Sequence, residues 1–226
     1  TTELTRLGMQ KATTLELGAS GVLGAGGAAG GSASASGAPR WQATVYRSEV
    51  DDELIATTDT NGTKVGTFNY RGGTRHQGVE AGVQGAWALG GGQALEYRTA
   101  WTYSDFRFKG GQYAGKQIAG VPKHLIEAEL RWRVGNWRVG PNVRWLPQDT
   151  PTDHANTPGA AQDAYAIWGF KVDYRSGPWR YYLQLDNLSD KRYASSYAIR
   201  NSGTAAQPGY LPGNGRSVSA GLTYVF

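Results

Sequence analysis

The stretch Ile126-Glu127-Ala128-Glu129-Leu130-Arg131-Trp132-Arg133-Val134-Gly135-Asn136-Trp137-Arg138-Val139-Gly140-Pro141-Asn142-Val143-Arg144-Trp145 carries a two-residue rhythm. Successive side chains of a strand point to opposite faces. Ile126, Ala128, Leu130, Trp132 and Val134 therefore share one face, and Glu127, Glu129, Arg131 and Arg133 share the other. After Gly135-Asn136 the rhythm resumes, with Trp137, Val139, Pro141, Val143 and Trp145 opposite Arg138, Gly140, Asn142 and Arg144. Two antiparallel strands joined by a tight turn satisfy this pattern, one side greasy and the other charged or polar. Pro141 has no N–H to give to a ladder and is the weakest point of the second strand.

The same alternation extends in both directions. Downstream, Trp168, Phe170, Val172 and Tyr174 oppose Gly169, Lys171, Asp173 and Arg175; beyond the turn Ser176-Gly177-Pro178, Trp179, Tyr181, Leu183 and Leu185 oppose Arg180, Tyr182, Gln184 and Asp186. The last strand places Val218, Ala220, Leu222, Tyr224 and Phe226 against Ser217, Ser219, Gly221 and Thr223. Upstream, Val79 to Leu89 and Leu95 to Tyr103 form a long hairpin about Gly90-Gly91-Gly92. A strand from Trp41 is expected to run to about Thr57, before the polar turn Asp59-Thr60-Asn61-Gly62. Residues 12–20 give the first strand, with Leu15, Leu17 and Ala19 on its apolar side.

Composition agrees with strands and turns. The chain has 33 Gly, 8 Trp and 13 Tyr, and no Cys, so disulfides and thiolate metal sites are excluded. A net charge of +5 is scattered through strands in company with Asp and Glu, and is not the footprint of a nucleic-acid binder. No apolar run is long enough for a membrane-spanning helix, which leaves a strand-built membrane wall open. The segment 21–39, almost wholly Gly, Ala and Ser, buries too little surface to offset its ordering entropy and is expected to be a flexible loop. The chain opens on Thr1-Thr2-Glu3-Leu4 without a basic and then apolar signal region, as expected either of a chain whose signal has been removed or, the preferred reading, of a piece of a longer chain.

A soluble sandwich also alternates, with its apolar face turned inward. Three features favour a membrane wall. The strands read as 9 to 14 residues, suited to crossing a bilayer at a tilt. Trp137 and Trp145 lie eight residues apart, about 27 Å along a strand and about 20 Å along a normal tilted by about 40°, near the height of an apolar band between two aromatic girdles. Connections also alternate in length: those near 90–92, 135–136 and 176–178 are short, and those near 58–73, 105–121, 147–163 and 190–214 are long. Short periplasmic turns and long extracellular loops give this pattern in an outer-membrane barrel; the loop at 21–39 falls on the short-turn side and breaks it.

Several stretches resemble the C-terminal barrel half of the TonB-dependent outer-membrane receptors. They are Lys11-Ala12-Thr13-Thr14-Leu15-Glu16-Leu17-Gly18, the run from Asn69 to Gly78-Val79-Glu80, Val121-Pro122-Lys123-His124, Asp186-Asn187-Leu188-Ser189-Asp190-Lys191-Arg192-Tyr193, and Pro212-Gly213-Asn214-Gly215-Arg216. Their order and spacing cover nearly the whole chain, ending on Phe226. The fold expected is all-β: an antiparallel transmembrane β-barrel, of which residues 1–226 form a C-terminal part of about nine to ten strands, with the plug domain absent. The resemblance implies a transporter of a ferric siderophore or similar metal chelate in the outer membrane of a Gram-negative bacterium. Its partners would be outer-membrane lipid, the chelate, and, through a missing N-terminal part, the plug and the TonB complex. The alternative is a small self-contained outer-membrane barrel, a porin or an adhesin.

Local chemistry supports the turns. Asn187 and Asp190 can bond their own turn's backbone, and Tyr193 is expected in an aromatic girdle. His76 and His124 fall near strand starts at the long-loop rim. Candidate ligand contacts lie in two loops: Asp153 and His154, beside Asp149, in one, and Tyr197, Arg200 and Tyr210 in the other, where guanidinium and aromatic groups suit an anionic chelate. Three scattered His residues do not make a metal site by spacing, and no cofactor is implied. No catalytic constellation is present, so an enzyme is not expected.

Overall fold

In the computed structural model the described residues are 7–23, 38–58, 64–204 and 209–226. Nine strands form one antiparallel sheet: β1 (Lys11–Val22), β2 (Arg40–Asp51), β5 (Thr74–Gly90), β6 (Gln93–Phe108), β7 (His124–Val134), β8 (Trp137–Leu146), β11 (Tyr165–Ser176), β12 (Trp179–Asp186) and β15 (Ser217–Tyr224). They lie side by side in chain order, so every neighbour is reached by a local connection. The short strands β3 (Glu53–Thr58), β4 (Lys64–Tyr70), β9 (Thr150–Pro151), β10 (Ala161–Gln162), β13 (Ala194–Tyr197) and β14 (Tyr210–Pro212) form three two-stranded pieces at the long-connection end, joined there by a single 3₁₀ turn at Gly111–Tyr113.

Register makes the sheet two-faced. Val45 opposes Val79, Ala81 opposes Trp101, Tyr97 opposes Leu130, Trp132 opposes Val139, Val172 opposes Leu183, and Leu183 opposes Ala220. A one-residue slip at any pairing would carry a whole strand's apolar set to the other face. Within the sheet's pairings the one register shift lies between Ala88 and Gly90, at the β5–β6 turn. The apolar face is therefore unbroken across nine strands.

That face is bare. Leu15 and Leu17 are 79% and 73% exposed, and Trp132, Trp137, Trp145, Trp168 and Leu222 are exposed too. Among the described residues no second sheet covers it, which removes the sandwich reading. Leaving a large apolar side chain in water forgoes about 1.5–3 kcal/mol each, so these side chains together cost on the order of ten kcal/mol, as much as a domain's whole stability. Toward the short-turn end aromatic rings follow one another in a row: Trp137 to Tyr174 at 4.4 Å, Tyr174 to Tyr181 at 6.0 Å, Trp179 to Tyr224 at 4.9 Å and Tyr224 to Phe226 at 5.1 Å between centroids.

The opposite face is held by ion pairs. Arg131 binds Asp173 and also lies 3.6 Å from Glu129, Lys171 reaches Glu129 at 2.5 Å, and Arg133 and Arg138 reach Glu96 at 3.4 and 2.9 Å. Arg131 is nearly buried, so its charge needs these partners.

Four expectations are refined. The strand from Trp41 ends at Asp51; Asp52 adopts φ 53°, and the chain turns into a separate hairpin, β3–β4, instead of running on to Thr57. Wall strands range from 8 residues in β12 and β15 to 17 in β5, wider than expected. Pro141 stays inside β8: it pairs with Phe170 of β11, while the β7–β8 ladder is interrupted at Gly140 and Pro141 and resumes in the same register. Tyr193 is not in an outward girdle. It packs against Tyr165, on the polar face, at 5.1 Å and over Gly213. The loop expected at 21–39 lies mostly outside the described residues, at 24–37; the turn expected at 59–62 falls wholly outside them.

Where the β7–β8 ladder is interrupted, the two backbones approach so closely that a Cβ on Gly140 would run into the Leu130 carbonyl oxygen. Gly140→Ala is predicted to destabilise the wall by about 1–3 kcal/mol, as overpacking does. The check is the temperature at which the complete folded barrel loses its anomalous gel mobility in detergent, which should fall.

Candidate functional site

The wall has no core of its own. Buried apolar groups gather at the long-connection end, where the loops fold over the polar face. Ile55 of β3, Tyr70 of β4, Phe108 at the top of β6 and Tyr113 of the 3₁₀ turn form a cluster, with Phe68, Ile118 and Ala155 packed against it. Tyr70 and Tyr113 stack at 5.9 Å, and the Tyr70 hydroxyl donates to the Gly110 carbonyl at 2.5 Å while accepting from the Tyr113 N–H at 3.2 Å. The hairpin is pinned to the wall through Glu53, whose carboxylate accepts from the Thr74 hydroxyl and meets His76 Nε2 at 3.2 Å. Burial would raise the Glu53 pKa, but His76 and Thr74 outweigh it and hold the carboxyl below its ordinary value. His76 in turn stacks on Phe106 at 4.4 Å.

The two loops singled out from sequence meet in one joint. Asp153 bridges Arg200 in parallel, the His154 N–H donates to the Arg200 carbonyl at 2.9 Å, and the Arg200 N–H donates to the Thr152 carbonyl at 3.4 Å. Asp153 is fully buried; its carboxylate accepts from the Thr157 N–H at 2.9 Å, the Thr157 hydroxyl at 2.5 Å and the Gly203 N–H at 2.5 Å. Buried carboxylates are tolerated when hydrogen bonds replace water, and three donors do so here. Arg200 is buried as well.

His154 lies beneath this joint, 3% exposed, edge-on to Phe108 at 5.1 Å and near Tyr113 at 5.6 Å. Its Nδ1 accepts from the Ala119 N–H at 3.5 Å, and its Nε2 is buried without a hydrogen-bond partner among the described residues. Burial pushes its pKa down to about 4 against the favourable pull of Asp153 and Glu53, so the ring is neutral at pH 7.

Tyr197 and Tyr210 face each other across β13–β14. Tyr197 is half-buried, and burial pushes its hydroxyl up to about 12. Tyr210 is exposed, and its hydroxyl donates to the Ala161 carbonyl, tying this hairpin to β10. Among the described residues no three His, Cys, Asp or Glu side chains converge on a metal position. Asp149 accepts from the Ala164 N–H at 2.9 Å, away from the joint. Asn187, expected to bond its own turn, does so: it exchanges bonds with the Lys191 backbone at 2.8 and 2.9 Å, and its amide also donates to the Asn214 carbonyl at 3.0 Å.

Sequence reasoning missed the β3–β4 hairpin and hence the loop core. The signal was present in Leu54-Ile55 and Phe68-Asn69-Tyr70 flanking Asn61-Gly62, a pair of short apolar runs about a hairpin dipeptide.

A family model described as TonB dependent receptor-like, beta-barrel, matches residues 5–188. Among solved structures, the ferric-catecholate import receptor Fiu from E. coli K12 in its closed form is 21% identical, with 94% of this chain and 27% of that chain covered and a TM-score of 0.60. The siderophore receptor PiuA from Acinetobacter baumannii is 19% identical over 94% of this chain and 28% of that one, at 0.65. The copper transporter OprC is 18% identical over 98% of this chain and 32% of that one, at 0.67. At these identities the likeness is one of fold, and the chain spans about a quarter to a third of the matched structures' length.

Two predictions arise from the joint. Because His154 binds a proton less readily folded than unfolded, its contribution to cap stability is complete above its ordinary pKa of 6.5, declines as pH falls from 6.5 toward about 4, and is constant below that. The protection of amides 113–119, taken relative to their intrinsic exchange rates at each pH, should therefore fall between pH 7 and pH 4 in the complete protein, and His154→Leu should flatten that dependence. Asp153→Asn turns an amide donor toward donors that need an acceptor, at a cost of about 1–3 kcal/mol. Limited proteolysis should then cut within 150–163 or 197–204 sooner than in the parent.

Proposed function

The chain belongs to the TonB-dependent receptor-like β-barrel family, and from that premise we propose that residues 1–226 form the C-terminal part of the barrel of an outer-membrane receptor importing a ferric siderophore or a similar metal chelate. Members of the family are transport receptors of Gram-negative outer membranes, not enzymes. The observation that carries the membrane reading is the bare apolar face, continuous over nine strands and backed by a face of ion pairs. Such a sheet needs hydrocarbon on one side and water or protein on the other.

In this reading the connections at 90–92, 135–136 and 176–178 are periplasmic, and the loop cap is extracellular. The family match over residues 5–188 favours the receptor over a self-contained porin or adhesin. A plug domain would lie against the charged face, and the TonB complex would act through it. Support for the ligand class comes from the proteins of like fold, one named for ferric catecholate and one for siderophore, with a copper transporter beside them. Tyr197 and Tyr210 form the aromatic edge that a chelate meets on the cap, while Asp153, His154 and Arg200 set the position of that edge from beneath.

The test is capture. The complete receptor, purified from iron-starved cells and analysed by mass spectrometry, should retain a metal chelate, and Tyr210→Ala should weaken that retention about tenfold while leaving the fold intact. Retention of no chelate would remove the siderophore assignment and leave the barrel standing.

A further inference from the structure

The tyrosine edge of the cap lies between opposite charges. The β9–β10 register, with Ala161 opposite Pro151 and Gln162 opposite Thr150, carried one residue further sets Asp163 across from Asp149. Like charges directly opposed destabilise a pairing unless a cation lies between them. Both carboxylates are exposed, and among the described residues neither forms an ion pair. Asp149 uses one oxygen to accept from the Ala164 N–H, at 2.9 Å, and keeps the other. The Tyr210 hydroxyl donates to the Ala161 carbonyl, two residues from Asp163, so its ring, 41% exposed, lies beside the pair. Burial raises the Tyr210 hydroxyl above its ordinary pKa, and the charges of Asp163 and Asp149 raise it further.

Tyr197, across the β13–β14 hairpin, meets a cation instead. Arg144, on the polar face of β8, is exposed and forms no ion pair among the described residues, although Glu127 stands opposite it on β7. Burial holds the Tyr197 hydroxyl up, and the charge of Arg144 pulls the other way. Arg144 precedes Asp149 by five residues, at most about 17 Å of extended chain. Arg200, the guanidinium expected on this edge, is buried in the joint. The outer side of the edge is thus acidic, and the side toward the polar face is basic. An ammonium group suits the outer side, donating to both carboxylates and lying against the tyrosine ring. Among the described residues no third His, Asp or Glu converges there, so the pair suits an organic cation and not a metal ion. Metal-bound oxygens of a chelate carry negative charge and match a guanidinium fork.

Resting on the receptor reading above, we propose that the chelate taken here carries a pendant primary ammonium, held between Asp149 and Asp163 against Tyr210, while Arg144 takes oxygens of the metal-binding groups beneath Tyr197. Charge then selects among chelates at this edge. One that bears an amine is retained, and a polyanionic one is repelled.

The complete receptor is titrated with ferrioxamine B, a trihydroxamate chelate that ends in a primary amine, with the N-acetylated form of the same chelate, and with the polyanionic ferric enterobactin. Ferrioxamine B should bind about tenfold tighter than its acetylated form. Asp149→Asn with Asp163→Asn should bring the two forms to parity. Arg144→Gln should weaken both alike and leave their ratio unchanged, and Glu16→Gln, on the edge strand β1, should alter neither. Equal binding of the two forms by the parent, an undiminished preference in the double Asn variant while it remains folded, or tighter binding of ferric enterobactin than of ferrioxamine B would overturn the proposal. So would failure to bind ferrioxamine B in a receptor that retains another chelate from iron-starved medium. A receptor that retains no chelate at all fails the transport reading instead.

Discussion

One register, kept in phase through eight strand pairings, is the constraint on which everything else depends. Backbone N–H and C=O groups in hydrocarbon have no water to fall back on, so each strand must find its bonds in the next one. Once that ladder fixes the phase, side-chain alternation does the rest: through the middle of the wall Trp132, Leu130 and Val139 fall on one side, and Glu96, Glu129, Arg131 and Lys171 on the other. Gly140 and Pro141 show how tightly the constraint binds. Pro141 has no N–H to give, the ladder toward β7 opens for two residues, and the strand nonetheless returns in phase, with Gly140 admitting the neighbouring backbone.

The wall could be read from the chain because its signal is local. Ile126 to Trp145 states both faces and the turn in twenty residues, and register needs only that the same rhythm recur. What escaped was built from contacts that alternation does not encode. Asp52 turns the chain out of β2 with a left-handed backbone, which a polar residue permits and does not announce. Tyr193 sits where the strand rhythm has stopped, and its inward packing on Tyr165 and Gly213 depends on a loop geometry fixed by Asn187.

The candidate site was half legible for the same reason. In sequence, Asp153 and His154 read as loop residues able to meet a ligand, and Arg200 as a second such group in a distant loop. Their types were informative and their surroundings were not. Burial of Asp153 under three donors, and of His154 beside Phe108, comes from two loops closing on each other across a core of Ile55, Tyr70, Phe108 and Tyr113. The link between the loops is largely backbone to backbone, between His154 and Arg200 and between Ala155 and Asn201, and backbone bonds leave no trace in residue identity.

The loop joint also bears on how the molecule assembles. Sheet neighbours follow one another in the chain, so the wall can grow hairpin by hairpin with little loop-closure entropy at each step. The joint is different: the Asp153 bond to the Gly203 N–H closes a loop of 50 residues that contains β11 and β12. Its closure costs more chain entropy than any of the wall's tight turns, and pairing of β11 and β12 shortens the effective loop and lowers that cost. The cap is thus tied energetically to the completeness of this stretch of the wall.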